Sequence, residues 1–178
     1  MNDSNNISAD MKQALIEPRI EQAGPLLVAG LREPLDQNAA QRIPKLWQQL
    51  TSGWDLITQR VDNVGYGVCI HLRDHEYYYM AACTVWDFTG LDASLSPFII
   101  PSQTYAVFSH SGSVQTIRTT IDIAFDQWLP TSGYRHAAGQ ENSLHFFERY
   151  GETFDPHSGT GDIEIWLPVK ANHASHSI

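Results

Sequence analysis

The chain has 178 residues, 42% of them hydrophobic and 17% charged, which suits one globular domain and is too apolar for a disordered chain. Twenty acidic residues against eleven basic ones leave a net charge of −9, which argues against binding nucleic acid through its phosphates and favours cationic partners. No apolar run reaches the roughly 18 residues of a membrane span, and the polar amino terminus lacks a signal core, so a soluble cytoplasmic protein is expected.

In chain order, residues 1–12 read as a polar tail. Residues 19–31 read as a strand interrupted at Gly24-Pro25. Over 37–58, Ile43, Leu46, Trp47, Leu50 and Trp54 recur at helical spacing, with Pro44 suited to a first turn and Ser52-Gly53 to an end. Two alternating segments, 64–72 and 77–86, are strands joined by the charged turn Arg73-Asp74-His75-Glu76. Residues 87–101 hold Gly90, Pro97 and Pro101 and read as a connection.

The second half repeats the order of the first. Residues 102–110 are a strand. Residues 114–129 are a helix whose apolar face carries Val114, Ile117, Ile121, Phe125 and Trp128, capped by Ser113 and stopped by Pro130. A loop through Gly133 and Gly139 leads to a strand at 144–150. A turn-rich excursion at 151–161 precedes a closing strand at 162–169, and 170–178 read as a second tail. The expected class is α+β, with βαββ repeats at about 19–87 and 102–169 inside one domain spanning 13–169. Paired, they give one curved antiparallel sheet with both helices on one face and a helix-free concave face open to a ligand.

The strand at 144–150 carries the strongest candidate for chemistry. Alternation puts Phe146, Glu148 and Tyr150 on one face, a carboxylate between two rings. Such an acid is either a solvated strand charge, paired for instance with Arg149, or the anionic point of a cation site. Each ring there would add roughly 0.5–2 kcal/mol to cation binding. Trp128 reads as core. Trp47, Tyr66 and Trp86 are candidate walls, with Gly65 and Gly67 leaving space around Tyr66.

Several segments together resemble the GyrI-like small-molecule-binding domain, which also serves as the effector-binding module of AraC-type and MerR-type multidrug regulators. They are Tyr105-Ala106-Val107-Phe108-Ser109-His110-Ser111-Gly112, Trp128-Leu129-Pro130, Ser132-Gly133-Tyr134, Phe147-Glu148-Arg149-Tyr150, and the closing Ile163-Glu164-Ile165-Trp166-Leu167-Pro168-Val169. The resemblance implies two βαββ repeats about a pseudo-twofold axis. It also implies a cleft in which a glutamate, here Glu148, meets lipophilic cations among aromatic rings. The sequence shows no helix-turn-helix segment or basic face, so it resembles stand-alone members that do not bind DNA directly. Some of those members are linked to gyrase inhibition or toxin resistance, and some hydrolyse strained cyclopropane-type electrophiles.

Other chemistries lack their residue patterns. No histidine, cysteine and carboxylate stand at metal-ligand spacing, His110-Ser111-Gly112-Ser113 lacks a nucleophile elbow, and no cofactor is expected. Cys69 and Cys83 read as buried thiols, although a disulfide between neighbouring strands is conceivable. The expected function is binding or sequestration of an amphipathic, cationic compound, with Glu148, Tyr150, Phe146, Tyr66, Trp86 and Trp47 as ligand-binding residues. The alternatives are a hydrolase in the same cleft, with Glu148 as its catalytic group, and a protein-interaction module. A protein partner or a homodimer is compatible with either.

Overall fold

The computed structural model describes residues 16–172, so the expected tail at 1–12 and most of the one at 170–178 lie outside the described residues. Among the described residues nine strands form one curled antiparallel sheet. They are β1 (Arg19–Ala23), β2 (Leu26–Pro34), β3 (Arg60–Arg73), β4 (Glu76–Val85), β5 (Ser96–Ile100), β6 (Gln103–Ser109), β7 (Tyr134–His136), β8 (Ser143–Tyr150) and β9 (Ile163–Ala171). Their spatial order is β1-β6-β9-β8-β3-β4-β2-β5, with β7 paired to the end of β9. Helices α1 (Ala39–Ser52) and α2 (Ile117–Asp122) both pack on the same face, as the repeat order predicts.

The repeats are β2-α1-β3-β4 and β6-α2-β8-β9, and their strands run outward from a β3–β8 seam in the same order. Each repeat is preceded by a short strand that joins the edge of the other: β1 pairs with β6, and β5 with β2. Residues 19–31 are therefore two strands rather than one, and the connection at 87–101 contains a strand. The break at residues 24–25 has a local cause. Gly24 adopts φ +94, a conformation that side chains resist, and Pro25 has no N–H to continue a ladder. The linkers cross there: a Cβ on Gly24 would fall 2.7 Å from the Pro101 carbonyl oxygen.

Helix boundaries also differ from the periodicity. α1 ends at Ser52 and is followed by a 3-10 turn over Trp54–Leu56. Pro44 lies inside α1, beyond its first turn. The second helix begins as a 3-10 turn, where the Ser113 hydroxyl accepts from Gln115 N–H, and after α2 widens into a π-helical stretch over Ile123–Trp128. Trp128 is buried on Phe108, as its helical face predicts.

Small residues let α1 sit close to the sheet, and an alanine on each side does the same for the second helix beside the Phe108–Trp128 contact. Ala29, Ala81 and Cys83 lie under Leu46 and Leu50 of α1, and Ala106 and Phe108 lie under Ala124 and Trp128. On the other face, Ile100 of β5 and Tyr105 of β6 meet Tyr66, Phe147 and Trp166 in one buried cluster, so the sheet is curled around its helix-free side. Cys69 pairs with Tyr79 and Cys83 with Gly65, which places the cysteines about 13 Å apart along paired strands and leaves both as free thiols. Burial pushes them up to about 12 and about 11, so they are unreactive.

Candidate functional site

Glu148 stands at the β3–β8 seam, paired with Gly67 on one side and Ile165 on the other. Cross-strand partners share a face. Gly67 pairs onward with Ala81, and Ile165 with Phe108, both on the helix-bearing side. Glu148 therefore lies where the part of the sheet under α1 meets the part under α2. This corrects its expected place on the helix-free face. Packing decides the matter: Phe147 takes the inner face, stacked on Trp166 with 5.3 Å between ring centroids, and alternation sends Glu148 outward.

The carboxylate is 6% exposed. Its Oε2 accepts from the Tyr79 hydroxyl at 2.7 Å and from the Tyr150 hydroxyl at 2.8 Å. Trp47 of α1 leans over the group, donating Nε1–H to the Tyr79 oxygen at 3.0 Å and meeting Tyr150 edge to face at 5.3 Å. Phe154 closes the other side of Tyr150 at 4.9 Å. The glycines of β3 make room for this cluster. A side chain at Gly67 would collide with Glu148 and Tyr79, and a Cβ at Gly65 would press on the Trp47 ring at 3.1 Å, so these glycines serve the helix-bearing face rather than Tyr66.

No cation accompanies Glu148 among the described residues. Burial holds its pKa above the usual carboxylate value, opposed only by the two tyrosine hydroxyls. Burial and the neighbouring carboxylate push both tyrosines up as well, so they remain donors. The other buried acid, Glu164, is arranged differently. It meets Arg19 at 2.8 Å and Arg149 at 3.6 Å and accepts from Trp166 Nε1 at 2.9 Å. Among the described residues, Glu164 carries its countercharges and Glu148 lacks one.

The sequence matches the GyrI-like small-molecule-binding domain over residues 16–170. The chain belongs to that family. A curated relative, the transcriptional regulator BrlR of Pseudomonas aeruginosa, is 26% identical over 132 residues, covering 71% of this chain and 46% of the regulator. The chain thus spans just under half the length of that relative. Among solved structures, SAV2435 bound to tetraphenylphosphonium superposes with a TM-score of 0.70 at 25% identity, covering 90% of this chain and 98% of that one. The EcmrR C-terminal domain shares the fold, with a TM-score of 0.60 at 18% identity, covering 87% and 98%. A GyrI-like small-molecule-binding domain is thus the class of this chain, and none of the helices among the described residues is long and apolar enough to cross a membrane.

Within this GyrI-like domain, the expected site residues divide. Glu148, Tyr150 and Trp47 come together, and Phe146 shares their face but packs against Phe125. Tyr66 lies on the inner face with Phe147. Trp86 follows the end of β4 and is 62% exposed, away from the cluster. Tyr79 is the functional candidate that sequence reasoning missed. The run Tyr77-Tyr78-Tyr79 holds it, but only the register with β3 shows which of the three reaches the seam.

Proposed function

We propose that this domain binds lipophilic cations at Glu148, with Tyr79, Tyr150 and Trp47 as the aromatic walls. The observation that carries this is a buried carboxylate with two hydroxyl donors and no countercharge among the described residues. Such a group is costly to keep ionised, and an arriving cation removes that cost. The tyrosines hold Oε2, so charge neutralisation is left to the ligand. An aromatic surround suits delocalised or alkylated cations, whose hydration is weak, better than ammonium or metal ions. SAV2435, in complex with tetraphenylphosphonium, supports this class of ligand.

Because Trp47 packs over the carboxylate, entry requires its ring to move, and with it the α1 face that carries it. Binding also stabilises the ionised form of Glu148, so uptake of a cation by the protonated site releases a proton and strengthens as pH rises through the raised pKa. The ligand would be held as an effector or sequestered. Tetraphenylphosphonium and tetraphenylborate, alike in shape and opposite in charge, form the test. Saturable calorimetric binding of the phosphonium alone is expected; comparable binding of the borate would refute a charge-selective site.

The raised pKa would also suit Glu148 to act as a general base on an electrophilic substrate. Incubation with a strained cyclopropyl electrophile decides this second reading, which requires turnover that Glu148→Gln abolishes.

A further inference from the structure

The inner side of the curled sheet holds a cavity of about 200 Å³, separate from Glu148. Tyr66, Tyr105, Phe147 and Trp166 form its sheet wall, and Leu26 and Ile100, beside the crossing linkers, close it opposite. Phe147 and Trp166 stack with an 18° interplanar angle, and Tyr105 meets each of them edge to face at 5.6 Å. These rings are themselves buried, so the cavity has a preset shape and does not depend on mobile surface side chains. A mostly apolar space of this size is large enough to accept a small aromatic molecule.

One charged residue, Arg149, lines this cavity among the described residues. Its contacts with Asp162 (3.1 Å) and Glu164 (3.6 Å) both run through Nη1, and the hydroxyl of its cross-strand neighbour Tyr66, itself in the cavity wall, also draws on the guanidinium. The guanidinium retains donor capacity while two carboxylates balance its charge. A ligand carboxylate would meet Asp162 and Glu164 nearby; a neutral acceptor would not. Volume, planar walls and a neutralised donor together define the occupant.

We propose that this cavity is a second small-molecule site, taking a compact, uncharged, planar molecule of one or two aromatic rings with a hydrogen-bond acceptor directed at Arg149. Consecutive residues of β8 would then serve two sites: Glu148 towards the helices, Arg149 and Phe147 towards the curl. The proposal stands independently of cation binding at Glu148.

Coumarin (two rings and a carbonyl) and indole (two rings, no comparable acceptor) are suitable probes. Calorimetry should show saturable one-to-one binding of coumarin, about tenfold tighter than indole, the difference expected for one hydrogen bond to a charged donor. Arg149→Met should remove that preference and leave indole affinity nearly unchanged. Leu26→Trp, which fills the space, should abolish coumarin binding while tetraphenylphosphonium affinity stays as in the wild type. The location is read on the unaltered protein. Coumarin should shift the indole N–H resonance of Trp166, assigned through Trp166→Phe, and leave that of Trp47 in place. Failure of coumarin to saturate, or a shift at Trp47 without one at Trp166, overturns the proposal even if Leu26→Trp fails to fold.

Discussion

Gly67 and Glu148 face each other across the seam between the two repeats, and the glutamate side chain occupies the space that a Cβ on the glycine would need. The same absent Cβ admits the Tyr79 hydroxyl. Gly67→Ala should therefore displace both groups, costing about 1–3 kcal/mol in chemical denaturation as an overpacked site. Cation binding should weaken in parallel. A variant with wild-type stability and affinity would show that the cluster is not tightly fitted over this residue.

Burial of an unpaired carboxylate makes stability depend on pH in a definite direction. The folded pKa of Glu148 lies above its unfolded value, so the folded state binds the extra proton. Stability is fully present below the unfolded pKa, near 4.5, and is lost as pH rises through the folded one. Glu148→Gln should match the wild type near pH 4 and exceed it in melting temperature at pH 8, by about 2–4 °C per kcal/mol relieved. Equal melting temperatures at pH 8 would mean that the carboxylate bears no such burden.

The opposite sign is expected at the aromatic cluster around Phe125. His145 stacks on Phe125 at 5.1 Å, and its ring lies 4.8 Å from that of His136, whose Nε2 bonds to the His145 carbonyl oxygen at 2.7 Å. Burial, reinforced by His136 and His71, lowers His145 to about 4. Its contribution is present above the unfolded pKa, near 6.5, and is lost as pH falls towards 4. His145→Phe keeps the stack and removes the titration, so it should lose less stability than the wild type between pH 7 and pH 5. Parallel losses in the two proteins would assign the acid sensitivity elsewhere.

Trp47 covers the Glu148 cluster, the proposed cation site, tied to Tyr79 by a hydrogen bond and to Tyr150 by ring contact. Trp47→Ala should cost about 1–3 kcal/mol in stability through the lost aromatic contacts. It should also speed association of tetraphenylphosphonium in stopped-flow fluorescence, because the closed arrangement no longer competes with the ligand. Slower or unchanged association would remove Trp47 from the entry route.

Much of this was legible in the sequence. Period-two patterns located most strands, and the doubled βαββ order foretold a sheet with both helices on one side. Phe146, Glu148 and Tyr150 do share a face. Which face they share was not legible, because alternation fixes relative direction and leaves the choice to packing, here to Phe147 against Trp166. The exchange of β1 and β5 was also hidden, since two short strands separated by Gly-Pro look like one strand with a bulge. Nor could the sequence separate Glu148 from Glu164: both sit in strands beside aromatic residues, and only the placement of Arg19 and Arg149 shows that one is neutralised.

The central claim is that Glu148 supplies the charge that holds a cationic ligand. Calorimetric titration of tetraphenylphosphonium into the wild type and Glu148→Gln at pH 8 tests it most directly. At least about tenfold weaker binding by the variant is expected from loss of a desolvated charge contact. Equal affinity in the two proteins would contradict the account.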